Sequence, residues 1–347
     1  MRTSDFDYHL PSELIAQTPI EPRDGSRLLV LHRTTGAMEH RSFRDIVHYL
    51  RAGDLLVANR SRVIPARLLG TKESTGTPVE MLLLRPAADA PSVDVWEVLL
   101  KPARRLKIGA RLVFGEGELA ATVLSSDGLG VRKVKLESSE PLDLVVDRLG
   151  RAPLPPYIRG YSGDPERYQT VYADVRGSAA APTAGLHFTP ELMARVRGLG
   201  ARFAFVTLHI GIDTFRPVQE EDPTEHPMHR EYYEVPESVA EEITAARREG
   251  RRVIAVGTTT VRVLESVATA DVPSRAKAGA GWTDLFIYPG HRFRLVDALI
   301  TNFHLPRSTL VMLVSALAGR EALLEAYREA VRERYRFYSF GDAMLIV

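Results

Sequence analysis

Between residues 61 and 149 the chain changes texture, and that change limits its fold more than any other feature of the sequence. Short apolar or alternating stretches at 63–69, 79–84, 93–100, 111–114, 119–124 and 131–136 recur at about ten-residue spacing, with Gly, Ser, Pro and Asp between them. That rhythm indicates a small antiparallel barrel or sandwich, with an elaborated edge of one sheet as the alternative. On either side the pattern differs. Residues 28–31 are a short apolar run after the turn Arg23-Asp24-Gly25-Ser26, residues 42–50 carry Phe43, Ile46, Val47 and Leu50 at helical spacing, and 55–57 are apolar again. Beyond Pro153-Leu154-Pro155-Pro156, Thr189-Pro190 has the residues of a helix N-cap and first turn. Residues 203–210 and 253–256 read as buried strands, and 237–249, 308–317 and 321–334 as helices. The sequence therefore predicts an α/β main domain with a mixed, largely parallel sheet, formed by residues 1–60 and 151–347, and a small antiparallel β-barrel inserted as residues 61–150. The acidic stretch 219–227 and the Ala/Gly-rich stretch 270–281 read as the least structured.

The chain has no cysteine, which excludes a thiolate nucleophile, a Cys-ligated zinc and a cysteine-bound iron–sulfur cluster. Its chemistry must use oxygen and nitrogen groups. With 45 Lys+Arg against 44 Asp+Glu, a uniformly basic nucleic-acid binder is not indicated. The first residues lack an apolar signal region and no apolar run reaches the length of a membrane span, so a soluble cytoplasmic protein without membrane contact is expected.

Four segments can carry chemistry. In Ala179-Ala180-Ala181-Pro182-Thr183-Ala184-Gly185-Leu186-His187-Phe188, small side chains permit close backbone approach to a ligand just before a helix start, and His187 is titratable; a tight packed turn is the plain alternative. His209 lies at the end of a buried strand, where ligands of α/β sheets bind, or is a satisfied edge histidine. Gly257-Thr258-Thr259-Thr260 joins a strand to a helix and resembles an anion cradle in layout, but it is neither GxGxxG nor a P-loop; ordinary capping by Thr258 or Thr259 is its alternative. Tyr335-Arg336-Phe337-Tyr338-Ser339-Phe340 suits either base stacking or, more simply, core packing. A metal site from His209, Asp213, His226 and His229 lacks any HExxH-type spacing, and no metal is expected. Basic residues cluster at Lys101, Arg104, Arg105, Lys107 and Arg111, and at Arg60, Arg62 and Arg67, as a solvated surface or a phosphate-contacting face.

Together these segments resemble the S-adenosylmethionine:tRNA ribosyltransferase-isomerase family of queuosine biosynthesis. The similarity runs almost end to end, through Arg23-Asp24-Gly25-Ser26-Arg27-Leu28-Leu29, Asn59-Arg60-Ser61-Arg62-Val63-Ile64-Pro65-Ala66-Arg67, Leu154-Pro155-Pro156-Tyr157-Ile158, Glu166-Arg167-Tyr168-Gln169-Thr170-Val171-Tyr172, Ala181-Pro182-Thr183-Ala184-Gly185-Leu186-His187-Phe188, Thr301-Asn302-Phe303-His304-Leu305-Pro306 and Gly341-Asp342-Ala343-Met344. It departs at Asp213, where a glycine is usual, and at Thr260, where a serine is usual; neither change removes a functional group. The resemblance implies an α/β domain with an inserted barrel. It also implies transfer and isomerisation of the ribosyl moiety of S-adenosylmethionine onto 7-aminomethyl-7-deazaguanine at the tRNA wobble position, with release of adenine and methionine.

On that reading S-adenosylmethionine is a co-substrate, no prosthetic group is needed, and the partner is tRNA carrying the modified base, handled by a monomer. The positive sulfur acidifies the ribose C5′ hydrogens, so a base can form an ylide. His187, His209 and Asp342 become the catalytic candidates, with the base left open between the two histidines. Thr183, Gly185, Gly257, Thr258, Thr259 and Thr260 would bind the sulfonium co-substrate. Arg60, Arg62, Arg67, Lys101, Arg104, Arg105, Asn302, His304 and Arg336 would contact tRNA or its base. A tRNA methyltransferase, a metal-dependent hydrolase using His209, His226 and His229, and a non-catalytic RNA-binding module are the alternatives. The first lacks its glycine-rich loop, and the last leaves the His187 and Thr258 segments without a purpose.

Overall fold

The structure, a computed structural model, describes residues 1–87, 94–126, 131–211, 218–228 and 230–347. Asp213, His229 and the side chain of Arg104 lie outside the described residues. The chain divides into two compact units, one of Met1–Arg62, Pro155–Val175 and Ala181–Val347, the other of Val63–Leu154 and Arg176–Ala180.

The chain begins the larger unit with β1 (Arg27–Leu31), β2 (Met38–Ser42) and β3 (Leu55–Asn59), and a 3-10 helix Phe43–Tyr49 between the last two buries Phe43, Ile46 and Val47. Next come β4 (Ser61–Val63), β5 (Arg67–Lys72), β6 (Pro78–Pro86), β7 (Val95–Lys101), β8 (Arg111–Phe114), β9 (Leu119–Ser126), β10 (Val131–Ser138) and helix α1 (Leu142–Leu149). Strands β5 to β10 close into a six-stranded antiparallel barrel in the order β10-β7-β6-β5-β8-β9. Alternate residues fill it, including Met81, Val98, Leu112, Phe114, Ala121 and Val134. That alternation is what the ten-residue rhythm required. Residues 142–149 fell within the strand-rich stretch by sequence and are instead α1, because Val145 and Val146 bury one helical face against the barrel core.

After β11 (Val175–Ser178), which pairs with β4 in a separate two-stranded sheet, the chain alternates helices and strands. These are α2 (Pro190–Gly198), β12 (Arg202–Leu208), β13 (Glu231–Val235), α3 (Glu237–Arg248), β14 (Val253–Val256), α4 (Thr258–Val267), β15 (Gly279–Thr283), β16 (Ala298–Asn302), α5 (Thr309–Ala318), α6 (Arg320–Arg332) and β17 (Ala343–Ile346). The main sheet has nine strands in the order β15-β13-β12-β3-β14-β16-β17-β1-β2. It is mixed. The central block β12-β3-β14-β16 is parallel, as is β17 with β1, whereas β16 with β17 and the outer pairs are antiparallel. Strands β3, β14, β16 and β17 are buried along their whole length, as continuous apolar runs demand. Helix α2 starts as expected, with Thr189 Oγ1 accepting the Leu192 N–H at 3.1 Å and Pro190 in the first turn. Part of 270–281, read as least structured, is the edge strand β15; at an edge, pairing with β13 needs little apolar content.

Neighbouring strand β8 leaves no room for a side chain at Gly70 on β5, where an added Cβ would stand 2.3 Å from the Val113 carbonyl oxygen and 2.5 Å from a Phe114 ring carbon. Gly70→Ala is therefore expected to destabilise the barrel by roughly 1–3 kcal/mol, read as a lower urea midpoint. An unchanged midpoint would show that the wall yields there.

Candidate active site

At the carboxyl ends of β14 and β16 the larger unit holds a cleft of about 670 Å³, its open mouth included. Ligands of such sheets bind there because parallel strands end and helices begin on the same side. Its lining comes from the segments at 181–184, 257–259, 301–305 and 338–339, together with Tyr157, Ile210, Ser308 and Leu310. Among the described residues, no Asp, Glu, Lys or Arg lines it.

The β14–α4 turn depends on Gly257, whose φ of +93° carries the chain straight from strand into helix. Gly257 itself occupies the N-cap, so neither Thr258 nor Thr259 caps α4 and the first N–H groups have no side-chain partner. Thr259 Oγ1 is buried without a hydrogen-bond partner among the described residues. Thr260 differs, since its hydroxyl donates back to the Val256 carbonyl at 2.8 Å. The turn thus offers a helix N-terminus and one unused hydroxyl, an arrangement suited to a carboxylate.

Across the cleft, Asn302 ties three segments together. Its Oδ1 accepts from Thr183 Oγ1 at 3.0 Å, and its Nδ2 donates to the Tyr338 carbonyl and to His187 Nε2, both at 3.2 Å. A carbonyl can only accept, so the amide orientation is fixed. His187 Nε2 must then be an acceptor, which puts the ring proton on Nδ1, donated to Ser26 Oγ at 2.7 Å. The His187 ring lies against Phe43, centroids 4.9 Å apart, and burial, reinforced by the charges of Arg23 and Arg336, pushes its pKa down to about 3. It is a neutral imidazole with both nitrogens engaged, and it does not line the cleft.

His304 does line it, with Nε2 2.7 Å from Thr301 Oγ1 and a pKa pushed down to about 3 by burial. Tyr338 has a left-handed backbone, φ +71°, that a non-glycine residue adopts only when its surroundings impose it. Its ring lies 4.6 Å from that of Tyr157, whose hydroxyl is 2.7 Å from Ser339 Oγ, and burial raises both phenol pKa values. Gly185 is not in the lining. An added Cβ there would stand 2.0 Å from the Tyr172 hydroxyl, so packing against Tyr172 accounts for this glycine.

The remaining candidates lie elsewhere. Asp342 is buried and outside the lining, and its two oxygens accept the N–H groups of Arg27 and Arg336, each at 2.8 Å. Burial raises its pKa against those hydrogen bonds. Arg336 donates to the Thr18 carbonyl, while Tyr335, Phe337 and Phe340 pack in the core, the simpler of the two sequence readings. His209 follows β12, stacked on Tyr232 with centroids 5.8 Å apart. Its Nδ1 is buried without a partner among the described residues, and burial lowers its pKa. His226 pairs with Glu220 at 2.8 Å, and among the described residues no three His, Asp or Glu side chains are grouped to hold a metal. Arg60 faces Asp174 at 3.6 Å, Arg62 pairs with Glu166, and Arg67 with Glu80 at 2.8 Å. Lys101 and Arg105 are exposed on the barrel unit.

Sequence reasoning missed the buried pair of Arg262 with Glu231, whose other oxygen accepts the Gly211 N–H at 3.0 Å and so anchors the chain next to Ile210 of the lining. An arginine between Val261 and Val263 in a helix that follows a buried strand was the available signal.

The family described as "Queuosine biosynthesis protein" matches residues 3–346. The chain is 58% identical over 348 residues to an S-adenosylmethionine:tRNA ribosyltransferase-isomerase of Moorella thermoacetica, with all of both chains covered. It is 56% identical over 347 residues to its counterpart in Symbiobacterium thermophilum, again with complete coverage of both. A crystal structure of the S-adenosylmethionine tRNA ribosyltransferase from Thermotoga maritima superposes with a TM-score of 0.57 at 44% identity, covering 99% of this chain and 100% of that one.

The buried histidines make stability depend on pH. With folded values near 3 and an ordinary value of 6.5, His187 and His304 leave the folded protein short of protons that the unfolded chain binds. Stability is then complete above about pH 6.5 and falls as the pH drops toward 3, by up to about 1.4 kcal/mol per pH unit for each histidine. Urea unfolding at pH 7, 6 and 5 should show this slope, and His187→Gln should reduce it. Equal slopes in both proteins would mean that His187 is not held neutral.

Proposed function

The chain belongs to the queuosine biosynthesis protein family, and from that membership we propose that it transfers and isomerises the ribosyl moiety of S-adenosylmethionine onto 7-aminomethyl-7-deazaguanine at the tRNA wobble position. The products are epoxyqueuosine-tRNA, adenine and methionine. S-adenosylmethionine is consumed as a co-substrate, no prosthetic group takes part, and the enzyme works as a monomer in the cytoplasm. No helix among the described residues is long and apolar enough to cross a membrane.

The observation that carries this reading is a cleft at the strand carboxyl ends whose described lining residues are all neutral, in a chain matched over almost its whole length. A sulfonium bound there meets no carboxylate among the described residues, so these leave its charge in place and its C5′ hydrogens acidic. The α4 N-terminus and Thr259 Oγ1 receive the methionine carboxylate, with Thr258 beside them. Tyr157 and Tyr338 give an aromatic wall for a flat base. Thr183 presents its hydroxyl through Asn302, and His187 acts behind them as a positioning residue. Asp342 positions the Tyr338 turn in the same way. His209, next to Ile210 of the lining, is an acid–base group at the edge of the cleft. The paired Arg60, Arg62 and Arg67 and the exposed Lys101 and Arg105 meet tRNA phosphates.

Incubation with S-adenosylmethionine and tRNA carrying the aminomethyl base should yield free adenine and methionine by mass spectrometry; S-adenosylhomocysteine in their place would mean methyl transfer. Thr259→Val, which removes one hydrogen bond to a charged group, should raise KM for S-adenosylmethionine about tenfold with kcat nearly unchanged. Lys101→Ala and Arg105→Ala should each lower the slope of log affinity against log salt by about one for tRNA, and a slope equal to wild type would remove that residue from the contact.

A further inference from the structure

We propose that His304 is the base that takes the C5′ proton from bound S-adenosylmethionine, an assignment that rests on the ribosyl-transfer reading above. Among the described residues, the titratable side chains that line the cleft are Tyr157, His304 and Tyr338. Both phenols are held protonated by burial and can only donate a proton at neutral pH. The same burial keeps the imidazole neutral, with a lone pair free to accept one. Of the other candidates, His209 also has an unpartnered Nδ1 but is not among the described lining residues, and the remaining two are occupied. His187 has both nitrogens engaged outside the lining, and Asp342 has both oxygens on backbone N–H groups.

The structure also holds His304 in place. Its N–H donates to the Tyr327 hydroxyl at 3.1 Å, its carbonyl accepts from the Tyr8 hydroxyl, and Thr301 Oγ1 engages Nε2 at 2.7 Å. No partner for Nδ1 is present among the described residues, which makes Nδ1 the working nitrogen. A base fixed on three sides is preorganised for transfer.

The step balances. The Nδ1 lone pair bonds the C5′ hydrogen as a proton, and the C–H electron pair stays on carbon as the carbanion of a sulfur ylide. The cleft holds one positive charge before and after, first on sulfur and then on the imidazolium. Burial disfavours charging His304 in the empty cleft because it introduces a charge there. With the sulfonium bound that charge is already inside, and proton transfer only moves it, so the penalty on the base is largely lifted. The carbanion pair then forms a C4′=C5′ bond as C4′–O4′ breaks, the O4′ pair forms a C1′=O4′ carbonyl, and the C1′–N pair leaves with adenine, whose nitrogen takes the abstracted proton.

The test compares wild type with His304→Gln on S-adenosylmethionine and modified tRNA, with co-substrate binding measured by calorimetry. Retained binding, within about threefold, with adenine release reduced about a thousandfold supports the assignment. His304→Gln turning over within tenfold of wild type overturns it while leaving the ribosyl-transfer reading intact. A wild-type protein that releases no adenine overturns both. If His304→Gln no longer binds S-adenosylmethionine, Thr301→Val keeps the imidazole but removes its Nε2 partner. A displaced pH profile of kcat in that variant supports His304 as base, and an unchanged profile overturns it.

Discussion

The side-chain amide of Asn302 donates twice and accepts once, and each bond holds a different stretch of chain: the Tyr338 carbonyl, the His187 ring and the Thr183 hydroxyl. These stretches come from the C-terminal turn and from the small-residue segment around 181–187, which have no pairing of their own with each other. Asn302 can do this because it ends β16, a strand buried throughout and flanked by β14 and β17. Inside such a site a lost bond leaves a buried polar group unsatisfied, at roughly 1–3 kcal/mol each, so the three bonds form and fail together. Two further features follow from it. The tautomer of His187 is dictated by the amide, and the left-handed backbone of Tyr338 is what turns its carbonyl onto that amide.

Charges near the site are consistently satisfied away from the cleft. Asp342 is held by two backbone N–H groups, and Glu265 accepts from those of Arg294, Leu295 and Val296 at 2.9 to 3.1 Å. Glu231 is matched by Arg262 and by Gly211. Each carboxylate stabilises a loop or turn, and none reaches the lining. For sulfonium chemistry this has a catalytic meaning. A carboxylate beside sulfur would stabilise the substrate cation more than the neutral ylide, tightening binding of the ground state and raising the barrier. Neutral polar groups bind without that cost.

How much was legible in the sequence depended on how local each feature is. The barrel could be read because every strand carries its own alternation, as in β6 with Val79, Met81 and Leu83 inward. The buried strands β3 and β14 could be read because both faces are covered and residues 55–58 and 253–256 are apolar throughout. Helix α1 was hidden because two buried valines within eight residues give too short a period to separate from a strand. Within the site, the small residues at 181–184 and the Gly257 turn pointed to close approach, and they do line the cleft. The contacts of Ser26, His187 and Asn302 span 115 residues or more, and no periodicity reports such distances. Gly185 illustrates the same limit, since its reason is the Tyr172 hydroxyl rather than a ligand.

The near-equality of charges is realised pair by pair. Arg60, Arg62 and Arg67, the arginines that read as RNA contacts, each face a carboxylate, and Arg111 faces both Glu73 and Glu137. Exposed pairs of this kind contribute little to stability, about 0–1 kcal/mol, so a phosphate can replace the carboxylate with small loss. The exchange also gains little, because one anion substitutes for another and few bound cations are released from the protein side. Attraction to tRNA through these residues is therefore weak. On the proposed reading, the discrimination needed to act on one modified base must then come from the cleft, whose described lining includes Asn302, Thr183 and the two tyrosines.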